Sequence, residues 1–138
     1  MTPNAGIPRR DTDTCIAIIK KHPGALKKLR GKSIGQVGLS SITLGELAFG
    51  ADKSSRPKDA HEALREFLLA LEIAAFDDES AMTYGEVRAS LTRGGKLIGP
   101  LDTLIGSHAR SLDVILVTHN TREFARIEDL RLEDWTKT

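Results

Sequence analysis

Two hydrophobic periods alternate along the chain. Short apolar runs of strand length are separated by segments whose apolar residues recur every three or four positions. The clearest run is "DVILVTHN" (113–120), a continuous apolar stretch closed by polar residues, as expected of a strand covered on both faces. "IGQVGLSSI" (34–42), with Val37 and Leu39, and "LEIAAF" (71–76) read as two further short strands. "LRLEDW" (130–135) reads as a closing edge strand.

Helices are predicted between them. "DTDTCIAIIKKH" (11–22) reads as a helix start, with Asp11, Thr12 or Asp13 as the cap and Ile16, Ile18 and Ile19 behind it, ended or re-started by Pro23. "SSITLGELAFGA" (40–51) reads as a helix capped by Ser40 or Ser41, with Ile42, Leu44, Leu47, Ala48 and Phe49 apolar. Pro57 opens the next helix, which runs to about Leu71 with Leu64, Phe67 and Leu68 on its stripe. An acidic cap at Asp77 and Asp78 precedes a helix carrying Ala81, Tyr84, Val87 and Leu91, stopped by Gly94 and Gly95. Pro100 opens another helix, and "TREFARI" (121–127) is a short helix or turn. Strands alternating with helices predict an α/β domain with a parallel sheet. No internal repeat, low-complexity tract or second-domain linker interrupts the 138 residues.

Composition narrows the class. The chain is 40% hydrophobic and 28% charged, enough to bury a core and stay soluble, and no apolar run approaches the roughly 20 residues of a membrane span. The start, "MTPNAGIPRR", lacks the apolar core of a signal peptide. The single cysteine, Cys15, excludes an internal disulfide and any multi-cysteine zinc site and is expected to be a small core residue. A cytoplasmic protein is the expectation. The net charge of +1 is uneven: residues 1–32 carry eight bases against two acids. That segment reads either as a phosphate-binding patch or as a solvated helix face, and composition favours the face.

The chemistry begins with "KLIGPLDTLIGSHA" (96–109), where Asp102 stands alone in a largely apolar run. A buried, unpaired carboxylate costs several kcal/mol or stays protonated, so Asp102 calls for a partner. Asp11 opens a helix, Glu46 lies one turn into another, and His119 and Asn120 follow the "ILVT" strand. In a parallel α/β sheet all of these lie where strands end and helices begin, the edge at which such folds bind ligands. Two carboxylates ~5 Å apart repel by roughly 3 kcal/mol at an effective dielectric of about 20. A cation shared by Asp11, Glu46 and Asp102 removes that cost. Hard oxygen ligands without cysteines or paired histidines favour magnesium, or manganese. The plain alternatives are helix caps for Asp11 and Asp13, a surface position for Glu46, and a macrodipole contact for Asp102. His108 is expected to pack on its helix, and Glu123 to ion-pair with a neighbouring arginine.

These segments resemble the PIN-domain ribonucleases, specifically the VapC-type toxins of VapBC toxin–antitoxin pairs. The matching pieces are "DTDTCIAIIKK", "LSSITLGELAFGADKSSRP", "FDDESAMTYGEVRASL", "IGPLDTLIGSHA" and "ILVTHNTREFARIEDLRLEDW", in family order and at family-like spacing. The resemblance implies a single PIN-like domain over 1–138, folded as a three-layer α/β/α sandwich with a central, mainly parallel sheet. It implies a magnesium-dependent endoribonuclease with Asp11, Glu46, Asp102 and Asn120 as catalytic positions. Asp11 and Asp102 would be the metal ligands, Glu46 would bind through water or help activate it, and Asn120 would be a neutral contact. Thr118 would hydrogen-bond a carboxylate or a metal-bound water. It further implies an RNA substrate, a homodimer and an antitoxin partner whose C-terminal segment fills the acidic groove. Arg93, Lys96, Arg122 and the bases of 9–32 would hold the RNA backbone. With aromatic content of only 4%, selectivity would come from RNA shape rather than stacking.

One stretch departs from the family pattern. Members begin with an apolar strand ending in the first aspartate, whereas this chain has "AGIPRR" before Asp11. Pro8 lacks an N–H and two arginines replace aliphatics, so residues 1–10 are expected to be irregular and strand one distorted or missing. The alternative reading is a catalytically weak or inactive PIN-fold module that binds RNA or a partner.

Overall fold

The computed structural model describes residues 15–17, 37–69 and 71–135. Asp11, Asp13 and most of the basic N-terminal segment lie outside the described residues. The described chain runs β1 (Cys15–Ala17), β2 (Val37–Ser40), α1 (Ser41–Asp52), α2 (Pro57–Leu68), β3 (Glu72–Ala74), α3 (Asp78–Arg93), α4 (Pro100–Leu112), β4 (Ile115–Val117), α5 (Thr121–Phe124) and β5 (Leu132–Glu133). The strands form one sheet in the order β3-β2-β1-β4-β5, and every pairing is parallel. The parallel sheet is the one that the alternation of strands and helices foretold, and the architecture is the α/β/α sandwich that the family resemblance implies.

The first element corrects an expectation. A helix is predicted over 11–22, yet Cys15–Ala17 is the central strand, paired with β2 on one side and β4 on the other. A central parallel strand must satisfy its backbone on both edges, so each residue needs an N–H to give. Residues 6–10 contain Pro8 and two arginines, whereas Cys15, Ile16 and Ala17 have every N–H and include a β-branched side chain. Tertiary demand for a middle strand thus overrides a helical pattern.

The remaining elements follow their local chemistry. Ser40 caps α1, its hydroxyl accepting from the Ile42 N–H at 3.1 Å. Asp77 caps α3 by accepting from the Ser80 N–H and hydroxyl at 3.0 and 2.9 Å. Pro57 and Pro100 open α2 and α4, where a missing N–H costs nothing. Gly94 caps the end of α3, and Gly95 takes the turn at φ 63°.

The core is a cluster of Val87, Leu91, Ile98, Ile105, Ala109, Leu112, Val114, Leu116, Phe124 and Ile127, roofed by α3 and α4. The buried stripe of α3 is Ser80, Val87 and Leu91 rather than one led by Ala81, which is exposed. Small hydroxyls explain the shift: Ser80 lies 3.2 Å from Ser111 of α4, so the two helices meet closely there. On α4, Gly106 lets Phe124 and Ile127 close in; a Cβ there would stand 2.4 Å from Ile127 Cδ1. By contrast α2 buries none of its residues fully, and it ends at Leu68 instead of reaching Leu71.

Candidate active site

The strand order reverses between β1 and β4. From β1 the chain builds outward through β2 and β3 on one side, and β4 and β5 lie on the other. In a parallel sheet the crevice outside the carboxyl ends at such a switch point is where ligands bind. Three of the four candidate residues belong to segments that meet this edge.

Glu46 is exposed in the second turn of α1, which begins at the carboxyl end of β2. Asp102 sits in the first turn of α4, where backbone N–H groups and the helix dipole favour a negative charge. It is half-buried, not fully buried, and its Oδ2 lies 3.8 Å from the point a Cβ on Gly99 would occupy. The inward face of α4 is formed by Thr103, Ile105, Gly106 and Ala109 instead. Ser40, the last residue of β2, bonds His108 midway along α4, so α4 crosses at the carboxyl edge and its first turns project beyond. Asn120 is exposed three residues after β4. Its backbone N–H donates to the Thr118 hydroxyl at 3.0 Å, and its side-chain amide donates to Glu123 Oε2 at 2.6 Å.

That last contact corrects one expectation: Glu123 is engaged by Asn120 rather than by an arginine. The Thr118 hydroxyl accepts from the Asn120 N–H and keeps its own proton to donate. Asp11 lies outside the described residues. In chain order it comes before β1, whereas the family pattern has the first acid leave strand one.

Sequence reasoning passed over Asp134. Its side chain is only 7% exposed, it follows β5 directly, and its Oδ2 lies 3.4 Å from His119 Nδ1. The Thr118 N–H donates to the Glu133 carbonyl at 3.0 Å, so the residues after β4 and after β5 run side by side. The signal was present: "LEDW" leaves its strand as "VTHN" leaves the neighbouring one.

His108 also gains a definite place. It is fully buried, and Ser40 Oγ lies 2.8 Å from its Nδ1. The Phe76 ring meets it edge-on at 5.4 Å. Burial lowers its pKa to about 4, against smaller upward effects of the Asp77 charge and the Ala75 carbonyl. The ring is neutral at neutral pH.

The donor chemistry at this edge fits a hard cation: carboxylates from Asp102 and Glu46 and an amide from Asn120, with no thiolate. Among the described residues, no three His, Cys, Asp or Glu side chains come close enough to hold a metal ion by themselves.

Comparison with known proteins agrees with this architecture. The family model described as "PIN domain" matches residues 11–130. The chain is 40% identical over 126 residues to the tRNA(fMet)-specific endonuclease VapC of Shigella flexneri, covering 91% of this chain and 96% of that protein. It is 39% identical over 125 residues to ribonuclease VapC2 of Haemophilus influenzae, covering 91% and 95%. Among solved structures, a chain of the DNA-bound VapBC of Salmonella typhimurium superposes with a TM-score of 0.82 at 35% identity, over 88% of this chain and 98% of that one. The promoter-DNA-bound VapBC2 of Rickettsia felis gives 0.78 at 36% identity, over 88% and 98%. The chain belongs to the PIN-domain family, among its VapC-type ribonucleases.

Proposed function

We propose that this protein is a magnesium-dependent endoribonuclease, the toxin of a toxin–antitoxin pair, with Asp11, Glu46, Asp102 and Asn120 as its catalytic positions. The observation that carries the reading is 40% identity, over nearly the whole of both chains, to an endonuclease that acts on tRNA(fMet). Initiator tRNA is accordingly the first substrate to test. The solved relatives are VapBC complexes, which supports a cognate antitoxin as the partner. A homodimer of single-domain chains in the cytoplasm completes the reading; no helix among the described residues is long and apolar enough to cross a membrane.

PIN-domain ribonucleases are generally metal-dependent, and oxygen donors favour magnesium over softer ions. When bound, the ion activates water and stabilises charge on a phosphoryl oxygen. Asp102 lies in the first turn of α4, where the helix N-terminus favours a negative charge, which suits a ligand. Asp11 is the second proposed ligand. Glu46, exposed in α1 beyond the end of β2, would bind through water or help activate it. Asn120, held by Glu123, offers a neutral contact that adds no repulsion to the carboxylates. Bases such as Arg93, Lys96 and Arg122, all exposed, meet the RNA backbone.

A second reading draws on one observation: β1 begins four residues after Asp11, so chain order puts the first acid ahead of the strand. A PIN fold without its first ligand would bind RNA or antitoxin and cleave poorly. One experiment decides. Total cellular RNA and initiator tRNA are incubated with wild type, Asp102→Asn and Asp11→Asn, with magnesium or with chelator. Magnesium-dependent cleavage lost in both variants supports the ribonuclease reading, and cleavage unaffected by Asp102→Asn overturns it. A wild type that binds RNA without cutting it establishes the second reading.

A further inference from the structure

The helices that carry Glu46 and Asp102 are tied together at one buried hydrogen bond. Ser40 Oγ and His108 Nδ1 are 2.8 Å apart, and both residues have no exposed surface. Ser40 is at once the last residue of β2 and the N-cap of α1, while His108 lies in the middle of α4. The hydroxyl accepts from the Ile42 N–H at 3.1 Å and has one proton, which it can donate to Nδ1. In that tautomer His108 Nδ1 is the acceptor and the ring proton sits on Nε2, on the side of the ring that feels the Ala75 carbonyl.

From this joint the two carboxylates are equally distant in sequence. Glu46 lies six residues beyond Ser40 along α1, and Asp102 lies six residues before His108 along α4. Each is a lever arm of about 9 Å, so a ~10° rotation at the joint moves a carboxylate by roughly 1.5 Å. Displacements on the order of 1 Å cost on the order of 100-fold in rate. The joint matters because the two helices are unequally anchored. Seven residues of α4 are buried, whereas α1 buries only Thr43 and Ala51. Packing fixes α4, and α1 depends on its first turn for direction. That turn is held at two points, by His108 on Ser40 and by the Phe76 N–H on Ser41 Oγ at 3.0 Å.

We propose that His108 is a positioning residue that acts through Ser40 to set the angle between the helices bearing Glu46 and Asp102. The proposal rests on the ribonuclease reading for its consequence but not for its geometry, and the test separates the two. His108→Phe keeps a ring and removes the acceptor; His108→Asn returns an acceptor near the Nδ1 position; Leu91→Ala loosens the core away from the joint. For each, kcat and KM for magnesium-dependent cleavage of an initiator-tRNA substrate are measured well below Tm. Residual dipolar couplings report the angle between α1 and α4.

The expected result is a changed angle and a roughly 10- to 100-fold fall in kcat at unchanged KM for His108→Phe. His108→Asn restores most of both, and Leu91→Ala lowers Tm without touching kcat. Should His108→Phe fail to fold, Ser40→Ala makes the same test from the other side of the bond. An unchanged angle overturns the proposal, as does a kcat loss that His108→Asn does not recover. A wild type that cuts no RNA while His108→Phe still shifts the angle leaves the joint standing and removes the ribonuclease reading instead.

Discussion

The side-chain amide of Asn120 donates to the Glu123 carboxylate at 2.6 Å, so the residue proposed as the fourth catalytic position is held one helical turn from a negative charge. An amide suits that neighbour, and an acid does not. Asn120→Asp is expected to lower Tm at pH 7 by a few degrees, because the site is exposed and screening limits the repulsion to about 1 kcal/mol. The repulsion raises the carboxyl pKa values in the folded state. Its cost is therefore present at neutral pH and relieved as the pair takes up protons below about pH 5. Thermal melts of the two proteins at pH 7 and at pH 4 check this, and an equal deficit at both rules the account out.

Gly106 is a packing requirement. A Cβ at this position would meet Ile127 Cδ1 at 2.4 Å and Phe124 Cδ1 at 3.2 Å, both on buried side chains. Overpacking of this kind costs about 1–3 kcal/mol, offset by up to ~1 kcal/mol of better helix propensity. Gly106→Ala is expected to destabilise by about 1 kcal/mol. Ile127→Val removes the crowding methyl, and the double variant should recover part of the loss. Urea unfolding of all four proteins gives the coupling energy, and strict additivity would show that the clash relaxes elsewhere.

His108 makes stability depend on pH. Its folded pKa is lowered by burial to about 4, below the 6.5 of the free side chain. Between those values the unfolded chain binds the extra proton, so stability rises with pH across that window and is lost as pH falls through it. The full effect is on the order of 3 kcal/mol. Urea midpoints from pH 7 to pH 4 should decline in the wild type and decline less in His108→Phe. Identical slopes would place the acid sensitivity in other groups.

Strand β1 offers a backbone test. Ile16 pairs with Gly38 and Leu116 in the middle of the sheet. Its amide is expected to exchange as slowly as that of Leu116, and Ile16→Pro to unfold the protein by removing a ladder donor from a central strand. Rapid exchange across 15–17 would return this segment to the helix that its sequence pattern suggests.

Most elements were legible because their reasons are local. Ser40 and Asp77 cap helices by accepting from the next turn, Pro57 and Pro100 open helices, Gly94 and Gly95 end one, and 115–117 is too uniformly apolar to lie anywhere but a covered strand. The family, too, was readable in the order and spacing of five segments. The stripe of α3 was misjudged by one residue, because the Ser80–Ser111 contact that turns the helix inward joins residues 31 apart.

By itself, then, the sequence determined the elements, the α/β class and the chemistry of the candidate residues, since capping, periodicity and side-chain type act within a few positions. The tertiary structure alone decided that Cys15–Ala17 fills the middle of the sheet, that Asp102 is half-buried, that Asn120 engages Glu123, that Asp134 stands beside His119, and that Ser40 reaches His108. Each of these is settled by which backbone edges need partners and which distant surfaces close together, and no window of neighbouring residues carries that information.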